Sequence, residues 1–172
     1  MAIKFRLLLF MLLYVTTCMV GRVYAQASSY GELQAAYLYN FAKYVKWPRD
    51  PVVFVVGVYG ASDITDALEN TLKGKKIAGK DIELRMLSDP HDISECHIVY
   101  VSESNSKSIA LVKETVGSNS ILIVTEEDLI KKGATISFVV EDDRLKFKLK
   151  KSALSNAGLT ATEGLLRLAI LQ

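Results

Sequence analysis

Both histidines and one of the two cysteines fall within His91-Asp92-Ile93-Ser94-Glu95-Cys96-His97, the segment where a metal ion or a nucleophilic thiol would be held. Cys96 and His97 are neighbours, so on entering a strand their side chains point to opposite faces, whereas zinc needs three or four converging ligands. The segment reads as a loop entering a strand, with a metal or thiol site as the sharper alternative. A second candidate is Gly57-Val58-Tyr59-Gly60-Ala61-Ser62-Asp63, which follows an apolar run and precedes a helical one, where anions meet helix N-termini. It lacks the third glycine of a dinucleotide fingerprint and the Lys-Ser/Thr of a P-loop. A glycine turn is the plain reading, and a small-ligand crevice the alternative. Receiver-type phosphoacceptor chemistry needs clustered acids at the strand ends, and Val58-Tyr59-Gly60 and Val101-Ser102-Glu103 do not supply them.

Aromatic side chains at Tyr37, Tyr39, Phe41, Tyr44 and Trp47 suit either a core or a ligand cage, with Tyr39 off the main stripe and better placed for the surface. Tyr39, Trp47, Tyr59 and Ser62 are therefore the candidate ligand crevice. Lys146, Lys148, Lys150 and Lys151 alternate with Leu145, Phe147 and Leu149, which gives one basic and one apolar strand face. The basic face is either solvated or meets an acidic partner. No paired carboxylates, Ser/His/Asp arrangement or metal-ligand set is present, and two histidines in one loop leave little acid–base capacity. The chain reads as a binding protein without catalytic residues, cofactor or metal, with a thiol enzyme using Cys96 and a histidine as a distant third reading.

These residues need elements to position them. Met1 to Ala25 carries Lys4 and Arg6, the apolar run Leu7 to Val20, and small residues in Val23-Tyr24-Ala25, the order of a secretory signal peptide. The expectation is a signal over 1–25 and a single domain over 26–172. A lipid-attachment role for Cys18 fits less well, because Val15-Thr16-Thr17 lacks the usual small residue just before it. Cleavage removes three of the 21 cations and none of the 19 acids, leaving a net charge of −1 with the histidines neutral. That balance gives no case for nucleic acid. The longest remaining apolar run, Val52 to Tyr59, is far below the ~20 residues of a membrane span, so no membrane insertion is expected. Cys96 would be the only thiol left, which excludes an intrachain disulfide.

Leu33, Ala36, Tyr37, Asn40, Phe41, Tyr44 and Val45 have helical spacing up to Trp47-Pro48. Val52 to Tyr59 reads as a strand buried on both faces, followed by a helix with Ile64, Ala67, Leu68 and Leu72 inward and Gly74 at its end. Ile82 to Met86 and His97 to Val101 are further strands; a helix over 106–116, a strand over 120–124 and a short helix over 126–132 follow. Ala134 to Val140 and Leu145 to Leu149 are close enough to require an antiparallel hairpin. Thr160-Ala161-Thr162-Glu163 opens a terminal helix with Leu165, Leu166, Leu168, Ala169, Ile170 and Leu171 around it. The expected fold class is α/β: a three-layer sandwich with a mixed, mainly parallel central sheet flanked by helices and an antiparallel C-terminal hairpin.

Ala36-Tyr37-Leu38-Tyr39-Asn40-Phe41-Ala42-Lys43-Tyr44-Val45-Lys46-Trp47-Pro48 resembles the opening signature of the YfiR/HmsC-like family of secreted bacterial proteins. Gly133 to Asp142, Leu145-Lys146-Phe147, Ala153, Ala157-Gly158-Leu159 and Leu165 to Ala169 resemble its closing block in order and spacing. The resemblance implies a periplasmic regulator that binds the periplasmic region of an inner-membrane diguanylate cyclase, represses cyclic di-GMP synthesis and opposes biofilm formation, with no catalysis of its own. Two departures are visible. Some members carry several cysteines, and Lys150 stands where the block often has Asn. On this reading the partner surface lies around the terminal hairpin and helix, at Lys146, Lys148, Leu154, Leu165 and Gln172. A homodimer is expected from the apolar excess of the first and last helices. The alternative function is a periplasmic small-ligand sensor coupled to a histidine kinase or transporter.

Overall fold

The structure is a computed structural model that describes residues 30–48 and 50–172; the expected signal peptide lies outside them. The described part opens with helix α1 over 30–44. Its buried face includes Gln34, Ala35, Leu38, Phe41 and Ala42, whereas Leu33 and Tyr44 are 45% and 40% exposed. The inward face is thus rotated from the one that the apolar pattern suggests. Small side chains at Ala35 and Ala42 let the helix lie close to the sheet. Gln34 can be buried because its side-chain oxygen accepts a hydrogen bond from the Tyr100 hydroxyl at 3.1 Å. The helix also ends at residue 44, before Trp47-Pro48, since Val45–Lys46 (β1) leaves it to pair antiparallel with Thr160–Ala161 (β9).

Phe54–Tyr59 (β2) is buried along its whole length, as a central strand covered on both faces must be. Helix α2, Ile64–Leu72, turns Ile64, Leu68 and Leu72 inward and returns the chain, through the short strand Lys76–Ile77 (β3), to Lys80–Leu87 (β4). Strand β4 pairs parallel with β2 on one side, and Ile98–Val101 (β5) pairs parallel with it on the other. A 3-10 segment over Glu103–Ser108 and helix α3, Ile109–Val116, lead to Leu122–Thr125 (β6), parallel to β5. The short helix expected over 126–132 is a loop with a single 3-10 turn at Ile130–Lys132. The Ser137 hydroxyl ties that loop to the sheet, accepting from the Leu129 N–H at 3.1 Å and sharing a 2.7 Å hydrogen bond with the Thr125 hydroxyl.

Ile136–Glu141 (β7) and Arg144–Leu149 (β8) form the expected antiparallel hairpin. Its two turn residues, Asp142 and Asp143, have φ of 54° and 55°, the left-handed pair that a two-residue turn requires and that Asp tolerates. Helix α4, Lys151–Asn156, follows. The terminal helix α5 covers only Glu163–Leu168, capped by the Thr162 side chain on the Leu165 N–H. Ala169 then turns extended, and Ile170–Leu171 (β10) adds to the sheet parallel to β8. Backbone pairing at the sheet edge has replaced the longer helix that the leucines suggest.

The eight-stranded sheet runs β10-β8-β7-β6-β5-β2-β4-β3 and is mixed, mostly parallel. One core, under α1, α2, α4 and α5, gathers Phe41, Phe54, Tyr100, Phe138, Phe147, Leu154 and Leu165. The other, under α3 and the 3-10 turn Pro90–Glu95, gathers Val55, Tyr59, Cys96, Val99, Val112 and Ile123. The architecture is the α/β sandwich expected.

Candidate functional site

Cys96 and His97 lie on opposite sides of the sheet. The thiol belongs to the core under α3, and burial pushes its pKa up to about 11, so it is protonated and inert at neutral pH. The His97 ring stacks on Phe54, centroids 4.6 Å apart, and meets the Trp47 ring edge-on at 6.0 Å. Its Nδ1 accepts the Val55 N–H at 3.1 Å, which places the proton of the neutral ring on Nε2, and burial lowers its pKa. Trp47 is fixed in turn by its indole N–H, donated to the Ala42 carbonyl at 2.9 Å. Among the described residues no group of three or more His, Cys, Asp or Glu could hold a metal ion.

The glycines of the 57–63 segment serve close packing. A Cβ at Gly57 would come 2.6 Å from both Cys96 Sγ and Leu87 Cδ1. Gly60, at φ +96°, turns the chain where a Cβ would meet Ser102 Oγ at 2.3 Å. Beyond the ends of β2 and β5, where strand order reverses and doubly wound sheets receive ligands, the chain places its own Glu126. That carboxylate accepts from the Ser62 hydroxyl at 3.0 Å and from the Glu103 N–H at 2.7 Å. An anionic ligand there would have to displace it.

The four crevice residues are not brought together. Tyr59 is buried at the end of β2 and Ser62 lies just beyond it, while Tyr39 and Trp47 flank Phe54 at the start of the strand. The length of β2, about 20 Å, separates the two pairs. The Tyr39 ring is covered by Lys75 Nζ at 4.4 Å from its centroid.

At the hairpin, Lys146 and Lys148 do point away from Leu145, Phe147 and Leu149, but their charges are answered locally. Lys146 pairs with Glu141 at 3.3 Å and Asp142 at 3.5 Å, and Lys148 with Asp128 at 2.6 Å. The hydrogen bond to Asp128 raises the Lys148 pKa. Two cations facing three acids do not make a basic patch. Leu154 and Leu165 are 4% and 3% exposed, so they support the surface from below, whereas Gln172 is exposed. Sequence reasoning missed the exposed apolar rim beside them, Leu168 and Leu171 at 70% and 44%, because it places both leucines on one continuous helix, whereas Leu168 ends α5 and Leu171 belongs to β10. It also missed Glu126, whose position directly after a parallel strand was the available signal.

The two sequence motifs meet in space. Phe41 contacts Phe147 edge-on at 4.9 Å and Phe138 at 5.9 Å, and Tyr37 reaches Phe147 at 5.3 Å. Val45 pairs with Ala161, and Thr162 N–H donates to the Tyr44 carbonyl at 3.0 Å. Solved structures include one similar at a TM-score of 0.48 and 14% identity, the ABC domain in complex with L-Trp from Streptococcus pneumonia. The match covers 69% of this chain, which spans about half, 54%, of that one. The family described as YfiR/HmsC-like matches residues 31–170, from the start of α1 to β10, and includes both motifs. An N-terminal helix locked to the C-terminal hairpin is what that match covers in three dimensions, and the chain belongs to the YfiR/HmsC-like family.

Proposed function

We propose that this chain is a periplasmic negative regulator that binds the periplasmic sensor region of an inner-membrane diguanylate cyclase and represses cyclic di-GMP synthesis, and with it biofilm formation. The family match over residues 31–170 carries the reading, the family being one of periplasmic regulators rather than enzymes. No helix among the described residues is long and apolar enough to cross a membrane, which fits a domain that acts on a membrane protein from outside the bilayer.

Repression needs only a surface that binds the cyclase's inactive state better than its active one. A differential of ~1–3 kcal/mol changes output roughly five- to 150-fold. The proposed surface is the end of the sheet at β8 and β10, with Lys146, Lys148 and Gln172 in contact and Leu154 and Leu165 holding the backbone beneath. Leu168 and Leu171 give it an apolar rim of the kind that interfaces desolvate. Deleting the gene should raise cyclic di-GMP, and the Lys146→Glu, Lys148→Glu double variant should fail to restore repression while unfolding cooperatively. Full repression by a folded double variant would exclude this surface. Homodimerisation through the exposed apolar residues of α1 and the chain terminus is part of the proposal, and a monomeric mass in light scattering would remove it.

A further inference from the structure

A recess of about 170 Å³ opens between α3, the Gly133 turn and α4, the helix that also carries Leu154 of the proposed partner surface. Its floor is apolar: Val116, Ile121, Ile123, Ala134, Ala153 and Ala157. Its polar lining is Lys113, Thr135, Lys150, Ser152 and Asn156, with no acidic residue. None of these five side chains makes a hydrogen bond or ion pair with another described residue. The contrast with Lys76, Lys80, Lys146 and Lys148, each held by a carboxylate, is direct.

Thr135 sharpens the point. It is only 3% exposed and its hydroxyl has no partner, yet no buried side-chain oxygen or nitrogen among the described residues lacks one. The hydroxyl therefore opens onto the recess that Thr135 lines. The stem of Lys113 is laid across Gly133, where a Cβ would come 2.8 Å from Lys113 Cδ and where φ is +131°. A side chain at 133 would push this lysine aside, so glycine here sets the position of one cation.

We propose that this recess binds a small organic anion, a carboxylate or phosphate monoester on a short apolar body. Lys113 and Lys150 neutralise the oxyanion, Thr135, Ser152 and Asn156 supply hydrogen bonds, and the apolar floor takes the carbon skeleton. The volume is close to the ~150 Å³ of a cavity that admits benzene, so a single ring or a short chain is the size limit. Unpartnered polar groups around an apolar floor are the ordinary makeup of a small-molecule site. The inference is independent of which membrane protein the chain regulates.

The test titrates isotope-labelled protein with benzoate, phenyl phosphate and neutral benzyl alcohol while following backbone amide signals. Both anions should give saturable shifts at Gly117, Gly133 and Ala153, and benzyl alcohol should give none there. The stronger of the two anions tells carboxylate from phosphate. Lys113→Gln and Lys150→Gln should each weaken binding about tenfold, whereas Lys131→Gln with Lys132→Gln, outside the recess, should leave it unchanged. Absence of saturable shifts at those amides, equal shifts with the neutral compound, or equal weakening by the outside pair would overturn the proposal.

Discussion

Replacing Phe41 by Leu, Phe147 by Leu, and both together measures the contact that joins the two sequence motifs. Phe41 is fully buried and Phe147 is 1% exposed; their rings meet edge-on, 4.9 Å apart at 64°. Truncation of either ring to alanine would cost about 3–5 kcal/mol, a large part of a total stability of roughly 5–15 kcal/mol, so leucine is the usable probe. Leucine retains most of the apolar area but loses the ring–ring term, about 0.5–1.5 kcal/mol per pair. Each single variant should lose about 1–3 kcal/mol, or several degrees at roughly 2–4 °C per kcal/mol. The double variant should lose less than the sum, by about 1 kcal/mol. Urea unfolding followed by the fluorescence of the single tryptophan, Trp47, reads all four proteins. Tyr44→Leu, in the same motif but 40% exposed, should change stability by no more than ~0.5 kcal/mol. Additivity of the two phenylalanine variants within ~0.3 kcal/mol would refute the claim that the motifs are coupled through this contact.

Trp47→Phe removes the hydrogen bond to the Ala42 carbonyl and should cost about 1 kcal/mol by thermal unfolding; no loss would mean that the indole N–H is not a structural tie. Gly57→Ala should destabilise by about 1–3 kcal/mol through its contacts with Cys96 and Leu87, and Cys96→Ala should recover part of that loss in the combined variant. His97 has a lowered pKa in the folded state, so its neutral form favours folding above the unfolded value of about 6.5, and this contribution is lost as pH falls through the folded pKa. The gap in midpoint between wild type and His97→Gln should accordingly narrow between about pH 8 and pH 5; parallel curves would remove His97 as the cause.

Much of the sheet was legible because its strands are continuous apolar runs: Phe54–Tyr59, Ile98–Val101 and Leu122–Thr125 are wholly buried, and no alternating pattern competes with that reading. The hairpin was equally plain, since Asp142-Asp143 leaves no room for a crossover. Short elements were not legible. Pairs such as Lys76–Ile77 and Ile170–Leu171 are strands only because a neighbour offers a free edge, a tertiary fact with no local pattern. The facing of α1 was misjudged for a related reason: its buried Gln34 depends on Tyr100, 66 positions away. Of the candidate site, the lysine alternation was visible, but the pairing of Lys148 depends on Asp128, in a loop that the Ser137 hydroxyl ties to the sheet through the Leu129 N–H. Leu154 and Leu165 carry the same apolar character whether they face a core or a partner, and only their burial separates the two.

The most direct test of the regulator reading is to express the tagged chain in its native host, crosslink it, purify it and identify by mass spectrometry what is held to it. The expected partner is an inner-membrane protein with a periplasmic sensor region and a diguanylate cyclase domain, with crosslinks mapping to the β8–β10 end of the sheet. Recovery of a histidine kinase or a transporter in its place, or of nothing beyond a second copy of the chain, would contradict that reading.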